Sequence, residues 1–299
     1  MTAITGLVIR NRNENKCDLM KNIIPIKANE ISIVIPVKNN KLGVTRFLES
    51  FFETQYLNTY PKEIIIVDNN EILDTKIESQ FIGKGIDIKV FHCKTEGPGN
   101  ARNVGWKRAK GKWVFFTDSD CIATKSMISG FLNADNGSIG YAGNVKSIEK
   151  GPISKYYEAQ KILIPLQNEF GEPEYLITAN ALVYRKALNR INGFNPRIRI
   201  AAGEDVDLGI RLRNCGKLTY CSKAIVKHNF IESLDDFKNR FRRYGKGNRI
   251  VEALYGINLL PKPFLPQVMT STNKYLSTLQ YNYLKEGYIS VKNISNYIN

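Results

Sequence analysis

Four short apolar runs, each closed by a polar residue or a turn, constrain the fold of this chain more than any other feature. They are Ile31 to Val37 (ISIVIPV), Glu63 to Asp68 (EIIIVD), Ile86 to Phe91, and Lys112 to Thr117 (KWVFFT). Their β-branched and aromatic content and their length predict buried strands. Between the first two, Leu42, Phe47, Leu48, Phe51 and Phe52 recur at helical spacing. Between the last two, Gly99 to Ala109 reads as a helix, closed by Gly111. Strands alternating with helices predict parallel βαβ units and an α/β, doubly wound sheet. Such a sheet takes its ligands at the carboxyl ends of its strands. Those ends carry Asn39 and Asn40, then Asp68, Asn69 and Asn70, then Asp118, Ser119 and Asp120.

The second half is less regular. Leu176 to Tyr184 and Leu218 to Lys227 read as strands, and Glu204 to Cys215 as a helix stopped by Gly216. Leu234 to Leu254 is a basic amphipathic stretch, followed by a loop with Pro261, Pro263 and Pro266. The expected layout is an N-terminal extension over 1–30, a main domain over 31–255 and a helical appendage over 256–299. The tyrosine-bearing tail is a candidate homo-oligomer contact.

The net charge of +15 favours anionic partners: nucleotides, acidic acceptors, nucleic acid or an anionic membrane face. Five cysteines without a C-x-x-C pair argue against a disulfide framework and a structural zinc site. No secretory signal and no apolar run of membrane-spanning length are read. The expected setting is cytoplasmic, with any membrane contact peripheral at the inner face.

Asp118-Ser119-Asp120 follows a strand, which holds carboxylates on a rigid support. Hard cations such as Mn²⁺ or Mg²⁺ select carboxylate oxygens and bridge them to phosphate. An acidic turn before the next helix is the plainer reading, and Asp205-Val206-Asp207 repeats the same spacing. In Glu96-Gly97-Pro98-Gly99-Asn100-Ala101-Arg102, the dinucleotide fingerprint would require glycine at 102. Glycines before a helix can still present N–H groups to an anion, and Arg102 can pair with phosphate. Glu204 and Asp205 open a helix, where capping alone explains an acid. The alternative is a general base that deprotonates an attacking hydroxyl. His228 follows a strand, and a lone histidine is commonly structural. Lys238, Arg240, Arg242, Arg243, Lys246 and Arg249 form either a solvated face or a clamp on diphosphate or an acidic acceptor.

These pieces occur together and in order. From Ile31 to Arg249 the chain resembles the GT-A-fold family 2 glycosyltransferases. The resemblance rests on ISIVIPVKNN, EIIIVDNN, GPGNARNVGWKRAKGKWVFFTDSD, ITANALVYRKALNRINGFN, GEDVDLGIRLRNCG and His228. It implies a Rossmann-like, mostly parallel sheet flanked by helices. It implies an inverting transfer from a nucleotide-sugar, UDP-hexose or UDP-N-acetylhexosamine first, assisted by Mn²⁺ or Mg²⁺. Pro36, Val37 and Asn39 would line the nucleoside pocket with Asn70, and Asp68 would bond the base. Arg102 would lie against the nucleotide. Asp118 and Ser119 would contact the nucleotide, Asp118 and Asp120 the metal, and His228 the metal or diphosphate. Asp205 would be the catalytic base, with Glu204 and Asn180 lining the sugar and acceptor pocket. Arg243 and Lys246 would contact acceptor or diphosphate. Val37 stands where the family often has Tyr or Phe. Arg240 to Tyr244 lacks the Gln and Trp of the processive Gln-x-x-Arg-Trp motif, so a single transfer is expected.

The acceptor class stays open at this point: saccharide, lipid-linked glycan, small molecule, protein or peptide. Two other classes compete. A metal-dependent nucleotidyltransferase would carry a Gly-rich loop with a signature Lys after the first strand, which is absent. A nucleic-acid-binding protein would spread basic and aromatic residues over a surface. Acids at the strand ends would repel phosphates unless a metal intervenes, which makes nucleic acid a poor partner.

Overall fold

The computed structural model describes residues 24–69 and 76–298. Asn70 and Cys17 lie outside them. The first half alternates strand and helix: β1 (Ile31–Val37), α1 (Lys41–Thr54), β2 (Glu63–Asp68), α2 (Lys76–Gln80), β3 (Asp87–His92), α3 (Pro98–Arg108) and β4 (Trp113–Thr117). Then come β5 (Cys121–Ala123), α4 (Ser129–Leu132), β6 (Gly140–Ser147), α5 (Pro152–Ala159), β7 (Asn180–Tyr184), α6 (Arg185–Ile191), α7 (Glu204–Arg213) and β8 (Leu218–His228). Three helices close the described chain: α8 (Leu234–Tyr255), α9 (Ser271–Ser290) and α10 (Ser295–Ile298).

The strands form one mixed sheet in the order β3-β2-β1-β4-β7-β6-β8-β5. From β3 to β4 the pairing is parallel; β7 enters antiparallel, with Thr117 opposite Asn180. The chain runs outward from β1 to β2 and β3, then returns to place β4 on the other side of β1. That reversal opens a crevice at the carboxyl ends of β1 and β4. Every residue of β2, β4 and β7 is buried, as the apolar runs require of strands covered on both faces. Gly105 lets α3 lie close on the sheet. A Cβ there would stand 2.4 Å from Val34 Cγ1.

Two strands depart from the expected pattern. The first is β6, whose GYAGNVKS holds two glycines, an asparagine and a lysine. It is fixed by its neighbours, β7 on one side and β8 on the other. The other, β5, has three residues and pairs with the end of β8. The expected strand over 176–184 begins only at Asn180: Leu176 and Ile177 are buried without strand pairing, and Thr178 and Ala179 form a turn before it.

A second apolar core lies beyond the sheet, built from α5, the chain after β8, α8 and α9. Tyr156, Tyr157, Phe230, Phe237, Phe241, Leu276 and Leu284 form its centre. Helices α8 and α9 meet backbone to backbone at Gly245 and Gly287. A Cβ on Gly245 would lie 2.0 Å from Leu284 O. Glu252 ties the following loop down by accepting from Leu259 N at 2.8 Å, and it also meets Arg249 and the Tyr288 hydroxyl. Among the described residues, no helix is long and apolar enough to cross a membrane. Cys93, Cys121, Cys215 and Cys221 are buried free thiols.

Candidate active site

A cleft of about 460 Å³ lies at the carboxyl edge of the sheet, between the two cores. One corner is acidic. Asp118 follows β4, Asp120 precedes β5, and His228 ends β8. The β5–β8 register sets Cys121 opposite His228, and Asn229 N donates to Asp120 O at 3.0 Å. Ligand atoms of Asp118, Asp120 and His228 thus lie within 4.8 Å of one another.

The chemistry of His228 suits a cation there. Burial holds its pKa below the usual value, against the pull of Asp120, so the imidazole is neutral. Its Nδ1 lies 3.0 Å from Asn229 O, which can only accept. Nδ1 therefore carries the hydrogen, and Nε2 turns a lone pair toward Asp120 Oδ1 at 3.3 Å. Two acceptors face each other there, and Asp118, Asp120 and His228 would together hold a divalent ion. An imidazole and two carboxylates are a fitting donor set for Mn²⁺. Asn40 braces this corner. Its Nδ2 donates to the Ser119 carbonyl and hydroxyl, both at 3.2 Å, while its Oδ1 caps α1 through Gly43 N.

Arg102, expected against the nucleotide, lines the cleft with its guanidinium already engaged. It is 3% exposed, and its guanidinium is held by two acids: Nη2 donates to Asp118 Oδ1 at 2.7 Å and Nη1 to Glu204 Oε1 at 3.0 Å. Phe194 lies under it, 5.7 Å from Cζ to the ring centre. The acids at the head of α7 divide by direction. Gly203 caps the helix at φ +87°, a conformation L side chains rarely adopt, and sends Asp205 into the cleft wall. Burial, and after it the neighbouring Glu204 charge, push the Asp205 carboxyl up to about 8. Its Oδ1 accepts from Val206 N at 2.9 Å. Asp207 is 2% exposed and takes Arg211 Nε at 3.0 Å and the Tyr255 hydroxyl at 2.7 Å. The second acid-x-acid pair therefore contributes one residue to the cleft and one to the core. Glu204 also lines the cleft, with Oε2 buried and without a hydrogen-bond partner.

Pro36, Val37, Ser119 and Arg243 line the cleft as well. Asp68 does not. It is 1% exposed at the end of β2, and its neighbour Asn69 reaches the cleft instead. Asn39, exposed at φ +55°, and half-buried Lys246 also stand outside the lining. The expectation for Asn180 is corrected: its side chain is fully buried inside the sheet. Its Nδ2 donates to Asn144 O and Ala224 O, both at 2.9 Å, where β6 and β8 slip register at Gly143 and Asn144. It satisfies carbonyls that the bulge takes out of the ladder. Lys38, inside the 36–39 loop expected to line the nucleoside pocket, does line the cleft, ion-paired with Glu96 at 3.2 Å; Arg199 is a lining residue that sequence reasoning missed. Arg199 sits in a loop whose sequence carries no signal for it. Arg240 also lines the cleft, with its guanidinium 5.6 Å from the Tyr157 and Phe230 ring centres.

Residues 32–191 match the family model "Glycosyl transferase family 2", and residues 136–286 match "Glycosyl transferase family group 2". The chain is 28% identical over 227 residues to a pre-mycofactocin glycosyltransferase of Mycobacterium tuberculosis, covering 72% of this chain and 46% of that protein. It is 25% identical over 222 residues to a probable glycosyltransferase of Sulfolobus acidocaldarius, covering 69% and 46%. The chain thus spans about half the length of the curated relatives it matches. S. aureus TarS 1-349 in complex with UDP-GlcNAc superimposes with a TM-score of 0.54 at 16% identity, over 87% of this chain and 91% of that one. GalNAc-T7 with UDP, GalNAc and Mn²⁺ gives 0.55 at 16% identity, over 86% and 56%. These likenesses show a shared GT-A-type fold. With the strand order, the carboxyl-edge cleft and a family match over more than half its length, this chain belongs to glycosyl transferase family 2.

Proposed function

We propose that this chain transfers a hexose or N-acetylhexosamine from a UDP-sugar to an acceptor nucleophile by one inverting displacement. The observation that carries this reading is the division of the cleft. A cation-type corner of Asp118, Asp120 and His228 stands on the sheet side, and the acid Asp205 stands on the α7 side. Two solved neighbours are described with UDP-GlcNAc or with UDP, GalNAc and Mn²⁺, which supports a UDP-sugar donor and a divalent cation.

Asp118, Asp120 and His228 would hold Mn²⁺ or Mg²⁺, which as a Lewis acid offsets charge on the departing diphosphate. Pro36 and Val37 flank the nucleoside. The unpartnered Oε2 of Glu204 accepts from a donor hydroxyl or amide. Arg243 at the rim adds positive charge for diphosphate or acceptor. Asp205 removes the acceptor proton as the acceptor attacks the anomeric carbon from the face opposite the diphosphate. That carbon gains oxocarbenium character as the bond to UDP breaks.

The two halves separate by mutation. Asp120→Asn loses the Mn²⁺-dependent part of UDP binding in calorimetry. Asp205→Asn keeps UDP binding and loses turnover by about 10²- to 10⁴-fold, the usual contribution of a general base. Near-normal turnover in Asp205→Asn would leave Asp205 a helix cap. The released product decides against nucleotidyl transfer, which frees pyrophosphate where sugar transfer frees UDP. Retention at the anomeric carbon, read by NMR of the product, would exclude the single displacement.

A further inference from the structure

The buried arginine between the two halves of the cleft does more than fill space. A guanidinium usually grips one carboxylate with two parallel bonds. Arg102 instead splits its two terminal nitrogens between separate acids, Asp118 at 2.7 Å and Glu204 at 3.0 Å. Its Nε is buried and bonds to nothing, so no third acceptor holds the group in place. The two acids differ in setting. The Asp118 side chain is 28% exposed and belongs to the cation corner, whereas that of Glu204 is 7% exposed and adjoins Asp205.

Resting on the cation corner proposed above, we infer that Arg102 is a positioning residue that couples the charge of that corner to Glu204, and so to the base side of the cleft. One guanidinium charge serves two carboxylates. A divalent ion drawing on Asp118 weakens the Asp118–Arg102 pair, and the freed charge turns to Glu204. Conversely, an ionised Glu204 holds Arg102 back from Asp118 and leaves that carboxylate available to the ion. Such linkage is reciprocal by thermodynamic necessity. A residue that contacts neither the ion corner nor the nucleoside side therefore sets cation affinity through one shared partner.

The test is a double-mutant cycle read by Mn²⁺ binding, with the free Mn²⁺ EPR signal measured with and without UDP. Glu204→Gln is near-isosteric and removes one charge; it weakens Mn²⁺ binding about 10-fold, the low end of what outer partners of metal ligands contribute. Arg102→Lys keeps the charge but cannot bridge both acids. In that background, Glu204→Gln changes Mn²⁺ affinity by less than about twofold, because the coupling path is gone. An equal fall in both backgrounds would mean that Glu204 acts through space and that Arg102 is a structural clamp. Unchanged Mn²⁺ affinity in Glu204→Gln alone also overturns the coupling. Absence of Mn²⁺ binding by the unaltered protein would overturn the cation corner itself, a failure distinct from both. Circular dichroism and melting temperature confirm that each variant is folded.

Discussion

Asp205 and Asp207 stand two residues apart on one helix and meet opposite surroundings. Asp207 is neutralised by Arg211 and Tyr255, while Asp205 faces the cleft beside a second acid. Burial and Glu204 raise Asp205 to about 8, so it binds a proton in the folded chain that the unfolded chain has already released. The sign follows from linkage: the unfolded state binds fewer protons between about pH 4 and the raised pKa, so stability falls as pH rises through that window. Asp205→Asn removes the titration. Its melting temperature gains on that of the parent more at pH 9 than at pH 5, and an equal difference at both would contradict the assignment. In the proposed role of base Asp205 must be ionised, so on that reading kcat/KM falls as pH drops below about 8, well above the range of an ordinary carboxylate. The apolar run of β4 put Asp118 and Asp120 at a strand end, whereas His228, at the end of a mixed strand, was linked to them only by the family resemblance. Asn180 was misplaced because its partners, Asn144 and Ala224, come from distant segments, and the pairing of Arg102 with Glu204 was invisible for the same reason.

At the scale of elements, the sequence located β1, β2, β3, β4, β7 and β8, with β7 starting later than its apolar residues suggest. The two it missed borrow their conformation: β6 is held between β7 and β8, and β5 by the last turn of β8. Local preference is weak evidence when tertiary pairing decides. The crossing of α8 and α9 shows the same dependence on partners. Neither Gly245 nor Gly287 marks a turn; both lie within helices, Gly245 mid-way along α8 and Gly287 in the last turn of α9, and glycine in a helix interior costs about 1 kcal/mol relative to alanine. Their return is the close approach of two backbones. Gly245→Val forces the helices apart and lowers stability by about 1–3 kcal/mol, as overpacking does. A urea titration measures it, and an unchanged midpoint would mean that α9 is not tightly docked.

For the molecule as a whole, the cleft lies where two cores meet, one around the sheet and one around α5, α8 and α9. Asp118, Asp120 and Asp205 come with the sheet and α7. Phe230, stacked on His228 with ring centres 4.8 Å apart, belongs to the second core. The parallel half of the sheet, β1 to β4, is complete before the chain has supplied β8. Because His228 reaches Asp120 only when β8 pairs with β5, the proposed cation corner is a long-range closure, and such closures form slowly. Refolding from urea therefore recovers far-UV ellipticity before it recovers Mn²⁺-dependent UDP binding; simultaneous recovery would contradict this order. A chain still emerging from the ribosome would then hold much of its sheet while unable to grip a nucleotide. On the proposed function, binding competence would arrive late in assembly, and an incomplete molecule would not sequester donor.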